Sequence, residues 1–317
     1  MAERALQRLG IISNPRSRGH LDGVAGLEGA TAGLPHAQPP DRAALRVTLA
    51  EFAAQGVTLL VVNGGDGTLR EVLGALPDAW PGPPPALAPL AAGRTNLLAR
   101  TLGQLGKGQA ALQALRDAAA AGRLRHEMRP VLEIHRPGVA GPPMRGLLFG
   151  AAGFVHATRM ANGAPRQRGL KDNAAVGATA LLTAVQTLSG RGPQARILRQ
   201  GTPMRLAVDG AAGPEAPRFI LLATTLDRLM FGLWPFWGDG PGALRWLDVA
   251  APPPRLLGGL WSLLRRRPPG IPGWNSGRAD TLDVDLDEPF VLDGELFDPG
   301  PGGVRLRPSA PIAFVAP

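Results

Sequence analysis

Along the first third of the chain, short runs that are apolar throughout alternate with longer stretches whose apolar residues recur at helical spacing. The runs are Leu9–Ile12, Val57–Val62 and Ala86–Leu90, and the periodic stretches cover Ala43–Gln55, Leu69–Leu76, a segment from about Leu97, and Lys107–Ala121. An uninterrupted apolar run of strand length predicts a strand covered on both faces. Strands alternating with helices at such short spacing predict an open parallel sheet. The punctuation agrees: Asn14-Pro15 stops the first strand, Pro77–Pro85 forms a Pro/Gly-rich loop, and Gly122 ends the last helix.

The pattern changes near residue 125. From Met128 onward the apolar runs are short, rich in Val, Leu and Phe, and broken by clusters such as Pro137-Gly138 and Gly141-Pro142-Pro143. Strand-like runs recur at Val131–His135, Leu147–Phe149, Leu206–Val208, Phe219–Ala223, Leu282–Leu286, Phe290–Leu292 and Ile312–Val315. These predict an antiparallel β domain with one inserted helix near 174–188. The domains are expected at 1–125 and 126–317, with the boundary between Gly122 and Met128.

Composition narrows the classes. A chain of 317 residues can bury two cores, and 44% hydrophobic with 19% charged residues excludes a disordered polymer. With 0 Cys there is no disulfide framework and no thiolate metal site. The net charge of +9 is carried almost wholly by Arg, since Lys occurs only at 107 and 171. That charge favours anionic partners. The Arg residues are scattered and lack the aromatic-basic motifs of nucleic-acid modules, so no nucleic-acid partner is expected. The first residues lack a signal-peptide pattern, and no run reaches the ~20 apolar residues of a membrane span. A cytoplasmic protein is expected, with any membrane contact peripheral and on the inner face.

The chemistry concentrates where the apolar strand 57–62 runs into Asn63-Gly64-Gly65-Asp66-Gly67-Thr68 and a helix. Three glycines at a helix start leave backbone N–H groups open to a phosphate. Thr68 and Glu71 form T-x-x-E, a capping box expected to fix the helix start. Asp66, the one charged group on the loop, is a candidate Mg²⁺ ligand or an orienting group for a hydroxyl. The loop is neither a Walker A sequence nor GxGxxG. A plain strand-to-helix turn is the alternative reading.

Other candidates follow. Asn14, Pro15, Arg16, Ser17 and Arg18 come after the first strand, at the sheet edge where α/β folds bind ligands, and Arg side chains there could grip phosphate oxygens. Thr95 and Asn96 are phosphate or cation contacts, or simple helix N-caps. Asp293-Gly294-Glu295 offers two carboxylates for proton abstraction from an alcohol, against the bland reading of an Asp-Gly hairpin turn. The five His, at 20, 36, 126, 135 and 156, show no ligand spacing and read as surface or core residues. Two apolar stretches stand out: Phe231–Trp237, with four aromatics, and Arg255–Arg267, amphipathic with a basic end. The second could lie on an anionic bilayer or pack as ordinary core.

These pieces, taken in order, resemble the bacterial diacylglycerol kinase and sphingosine kinase superfamily of lipid kinases over nearly the whole chain. Ser13-Asn14-Pro15-Arg16-Ser17-Arg18-Gly19 is similar to the family's first nucleotide loop, and Gly64 to Val72 resembles GGDGTxNEV with Arg70 where Asn is usual. Pro89 to Arg100 resembles P-x-G-T-x-N-D-F-A-R, keeping Gly93, Asn96, Ala99 and Arg100. Phe149–Phe154, Leu247-Asp248-Val249, Asp293-Gly294-Glu295 and the ending VRLRPSAPIAFVAP are also alike. The resemblance implies an N-terminal α/β domain of NAD kinase/diacylglycerol kinase type that binds ATP and Mg²⁺. It implies a C-terminal β-sandwich for the lipid, an active site in the cleft between them, and Glu295 or Asp293 as base. It also allows the last strand to return to the first domain. The partners it implies are a lipid substrate and an anionic membrane surface, with a homodimer as a further candidate.

Three departures bear on that reading. Arg94 stands where a phosphate-contacting Thr is common, with Thr95 beside it as a candidate substitute, and Leu97 replaces an Asp. The Asp expected to hold a structural metal a few residues before Leu247 is missing unless Asp239 takes its place. A soluble-substrate kinase of the NAD kinase type and a catalytically impaired lipid-binding homologue are the competing readings.

Overall fold

The computed structural model describes residues 7–21, 23, 26–27, 29–93, 96, 99, 101, 106–163, 199–227 and 235–316. The chain forms two compact units, Met1–Val131 with Ala310–Pro317, and Leu132–Ser309.

The first unit runs β1 (Leu9–Ser13), α1 (Arg18–Leu21), β2 (His36–Ala37), α2 (Arg42–Ala54), β3 (Leu59–Gly64), α3 (Asp66–Ala79), β4 (Ala86–Ala91), α4 (Gly108–Ala120) and β5 (Arg125–Arg129). Its six-stranded sheet has the order β2-β1-β3-β4-β18-β5, where β18 is Ile312–Ala316. All neighbours are parallel except β18 and β5, which run antiparallel.

Every residue of β1, β3 and β4 is buried, because helices cover both faces. Leu9, Ile11, Leu59 and Val61 pack with Ala111, Leu112 and Leu115 of α4. The alternate residues face the other way: a Cβ on Gly10 would stand 2.9 Å from the Phe52 ring of α2. This is the two-sided burial that the uninterrupted apolar runs imply.

The second unit is built on one twelve-stranded antiparallel sheet. Its elements are β6 (Leu132–His135), β7 (Met144–Gly146), β8 (Leu148–Ala152), α5 (Gly153–Gly163), β9 (Thr202–Val208), β10 (Ala211–Ala212), β11 (Ala216–Thr224), β12 (Leu244–Ala250), α6 (Leu256–Leu264), β13 (Trp274–Ala279), β14 (Leu282–Asp285), β15 (Phe290–Leu292), β16 (Glu295–Phe297) and β17 (Val304–Pro308). The main path is β16-β15-β8-β11-β9-β14-β17-β6-β7, and β12 and β13 extend from β11. One core cluster joins Leu132 and Ile134 of β6 with Phe149 of β8 and Phe290 and Leu292 of β15. Strands from both ends of the path meet in it, so the sheet folds over a single interior.

The boundary falls after Val131, six residues beyond the expected one, because β5 pairs with β18 in the first sheet. Arg125–Arg129 alternates exposed and half-buried positions and has no apolar run to betray it. The helix after β3 starts at Asp66 and continues through Pro77 to Ala79, longer than Leu69–Leu76, because Leu76 and Ala79 find buried places. The helices expected near 174–188 and from Leu97 fall largely or wholly outside the described residues. Asp248 of the LDV stretch is a buried structural group. Its carboxylate lies 2.9 Å from Arg218 Nε, and burial pushes its pKa up against the pull of Arg218 and a hydrogen bond from Asn275. No helix among the described residues is long and apolar enough to cross a membrane.

Candidate functional site

Strand order reverses at β1: β2 lies on one side and β3 on the other. In open α/β sheets, the carboxyl ends of strands at such a switch point are where ligands bind. Here β1 runs into residues 14–17, β3 into 65–68, and β4, the next neighbour, into 92–93. The three loops that sequence reasoning singled out therefore leave adjacent strands at the same edge.

The first loop is a tight turn. Ser17 N donates to Asn14 O (3.0 Å), and Arg16 N to Asn14 Oδ1 (2.9 Å). Asn14 Nδ2 donates to Thr68 Oγ1 at 2.9 Å, which fastens the first loop to the second. Pro15 and Arg16 are exposed at its tip, whereas Ser17 is buried. The side chain of Arg18 lies outside the described residues.

The second loop departs from the expected capping box. Gly65 is the N-cap of α3, with no side chain to close the helix start, and Leu69 N already bonds Gly65 O. Asp66, Gly67 and Thr68 thus form the first helical turn, where backbone N–H groups lack intrahelical acceptors and the helix dipole is positive. Thr68 holds Asn14 instead of capping. Glu71 is drawn away as well: its carboxylate takes Arg42 of α2 on one oxygen and Arg70 (3.3 Å) on the other. It is a brace between α2 and α3. The four residues 65–68 are half-buried, accessible from the sheet edge.

The third loop lies against the second. A Cβ on Gly93 would be 2.4 Å from Gly65 Cα, so the two backbones touch where neither has a side chain. Asn96 holds this turn: its Oδ1 accepts from Gly93 N (2.7 Å) and its Nδ2 donates to Gly93 O (2.8 Å). It is 4% exposed, with a left-handed φ of 49°, a conformation Asn tolerates better than most residues. Among the described residues the side chain of Asn96 braces its own loop through Gly93. Arg94, Thr95 and Leu97 lie outside the described residues.

Beneath the loops runs a polar chain that residue counting did not find. Ser17 Oγ meets His20 Nδ1 (2.8 Å), and Asn63 Nδ2 meets His20 Nε2 (3.2 Å) and Ser13 Oγ (3.3 Å). His36 Nε2 meets the same Ser13 Oγ (3.0 Å). His36 is exposed at its rim, yet partial desolvation of the ring, helped by the charge of His20, holds it below its ordinary pKa. The available signals were Asn63, a polar residue closing an apolar strand, and His20, one helical turn from Ser17.

In the second unit, Asp293-Gly294 is indeed a hairpin turn. It joins β15 to β16 with Leu292 opposite Glu295, and both turn residues have positive φ (51° and 85°), the pattern of a type I′ turn. The Asp293 carboxylate does more: Oδ1 accepts from Leu147 N (3.0 Å) and Leu148 N (2.9 Å). Glu295 is exposed beside it. Asp239 is exposed in the loop before β12. No group of three or more His, Cys, Asp or Glu that could hold a metal gathers there or elsewhere among the described residues.

The sequence matches the model of the diacylglycerol kinase catalytic domain over residues 28–123. No curated protein matches it. Among solved structures, a candidate diacylglycerol kinase from Bacillus anthracis str. Sterne is similar at 15% identity and TM-score 0.65, covering 99% of this chain and 98% of that one. A diacylglycerol kinase of the same organism gives 14% identity and TM-score 0.59 over 99% and 98%. Yeast NADH kinase complexed with NADH gives 12% and 0.51 over 98% and 84%. At these identities the structures establish a shared fold, an α/β unit with an antiparallel β unit.

Proposed function

From a chain whose residues 28–123 match the model of the diacylglycerol kinase catalytic domain, we propose an ATP-dependent lipid kinase that phosphorylates a hydroxyl of a diacylglycerol-like membrane lipid. The observation that supports this most is the meeting of the loops after β1, β3 and β4, with Gly64–Thr68 at the start of a fourteen-residue helix.

Phosphoryl transfer depends chiefly on positioning and on offsetting charge. The N–H groups of the first turn of α3 receive the nucleotide phosphates, and Arg16 stands at the tip of the neighbouring loop to grip an outer oxygen. Asn14, Thr68, Gly93 and Asn96 keep the cradle in shape. Mg²⁺ fits this donor set as an ion shared between nucleotide and protein, since it commonly takes one or two carboxylates plus phosphates and not a full protein cage. Asp66 is the residue that would hold it, and the ion supplies charge neutralisation on the transferred group. Asp239 belongs to no group of three or more His, Cys, Asp or Glu among the described residues and is not assigned a metal role.

The acceptor hydroxyl must lose a proton as the new P–O bond forms. Asp293 already spends its carboxylate on two backbone N–H groups. We therefore assign the base to Glu295, which is exposed, and give Asp293 the task of shaping the hairpin that presents it.

The test is turnover of labelled ATP with diacylglycerol, a sphingoid base, ceramide and a polyprenol, beside a coupled assay with NAD. Phosphorylation of a lipid alcohol, lost in Asp66→Asn and Glu295→Gln with unchanged melting, is the expected result. Turnover of NAD alone, or a fully active Asp66→Asn variant, would overturn the proposal.

A further inference from the structure

Helix α6 has apolar residues on both sides, although it lies at the surface. Leu256, Gly259 and Leu263 face inward, where the two leucines join Phe219, Val249 and Trp274 in a core cluster. A Cβ on Gly259 would stand 2.3 Å from the Trp274 ring, so this face is packed tight. The opposite face carries Leu257, Trp261 and Leu264, at i, i+4 and i+7, exposed by 65%, 56% and 54%. A surface helix ordinarily turns charged and polar residues outward. This one turns outward a leucine-tryptophan-leucine stripe.

Charge surrounds the stripe on its terms. Residues 255–267 contain Arg255, Arg265, Arg266 and Arg267 and no acidic residue. Arg265, Arg266 and Arg267 are exposed just beyond the helix end, and the Arg265 guanidinium sits 4.5 Å over the Trp261 ring. Arginines at that end complement the negative pole of the helix dipole. Tryptophan beside cationic residues suits the boundary between headgroups and acyl chains, where one side is apolar and the other is wet and anionic.

We propose that the outer face of α6 is a membrane-docking surface. Leu257, Trp261 and Leu264 enter the acyl boundary of an anionic bilayer, and Arg265–Arg267 contact its headgroups. The charge set argues for this occupant over a second copy of the chain, whose matching face would bring four arginines against four. The inference names the partner of the lipid kinase proposed above, but its test needs no turnover.

Binding is measured by co-sedimentation of the full chain, without ATP, on phosphatidylcholine vesicles with and without phosphatidylglycerol. Binding that requires phosphatidylglycerol and falls with added salt is expected. At roughly 1 kcal/mol per surface arginine, Arg265→Glu/Arg266→Glu/Arg267→Glu should weaken it about 100-fold or more. Leu257→Ser/Leu264→Ser should weaken it at least ~10-fold. Both variants alter exposed positions, and unchanged circular dichroism confirms that they fold. Trp261 fluorescence, read against Trp261→Phe, should be quenched by brominated acyl chains. Wild-type binding by either variant, or a concentration-dependent dimer that these variants dissolve with no vesicle binding, overturns the proposal. If vesicles bind but no lipid is phosphorylated, the function proposed above fails while the docking face stands.

Discussion

Gly93→Ala is the sharpest probe of the cradle. The new methyl would lie 2.4 Å from Gly65 Cα and 3.0 Å from Asn96 Oδ1. Carbon atoms rest at about 3.5–4.0 Å, so the loops after β3 and β4 must part by roughly 1 Å. No rotamer change relieves this, because the atom opposed is backbone. Overpacking of this kind costs about 1–3 kcal/mol, and a shift of ~1 Å in positioning groups can cost ~100-fold in rate. The expected outcome is a lowered unfolding midpoint and kcat/KM for ATP reduced about 100-fold by the displaced phosphate cradle. Gly74→Ala is the matched control. It lies inside α3 with nothing within 4 Å of its Cβ, and replacing a helical glycine by alanine should stabilise by about 0.5–1 kcal/mol. Denaturant melts and initial rates at varied ATP read both. If Gly93→Ala melts and turns over like wild type, the loops do not abut as described and the reasoning fails.

Two further outcomes follow from the hydrogen bonds and the histidines. Asp293→Ala should destabilise the second unit by about 1–3 kcal/mol, because it strands the N–H groups of Leu147 and Leu148. A thermal melt unchanged from wild type would remove the structural role given to that carboxylate. His36, His135 and His156 are all held below the ordinary pKa of 6.5, chiefly by burial. The folded protein thus refuses protons that the unfolded chain accepts, so stability is full above about pH 6.5 and falls as pH drops through that value. Urea midpoints across that range should show the slope, and His36→Gln should flatten part of it. An unaltered slope in that variant would contradict the lowered pKa of His36.

The sequence reveals the parallel half of this fold better than the antiparallel half, for a physical reason. Strands such as Leu59–Gly64 are buried on both faces, and their apolar runs mark them with little ambiguity. Strands such as Trp274–Ala279, reading WNSGRA, and Arg125–Arg129, the antiparallel edge of the first sheet, carry polar or small residues on an open face and leave little trace. The Gly64–Thr68 turn was legible because glycine is demanded there by contact. The roles of Thr68, Glu71 and Asn96 were not: each lies in a recognisable motif, yet its partner (Asn14, Arg42 or Gly93) is fixed by tertiary structure. The chain Ser17-His20-Asn63-Ser13-His36 is hidden for the same cause, since its members are brought together from five separate positions by β1, β2 and β3.

Strand β18 sets the order in which this protein can be made. It lies between β4 and β5, and β5 reaches the first sheet only through it. A ribosome that has synthesised Met1–Val131 has therefore produced a sheet whose β4 edge stays open and whose β5 has nothing to join. That edge waits through the whole of Leu132–Ser309, which can meanwhile fold on its own core. Residues 1–131 expressed alone should expose a sticky parallel edge, and a fusion that supplies residues 310–317 directly after Val131 should close it. Of the two units, the first is thus completed only after the second, although its synthesis starts earlier.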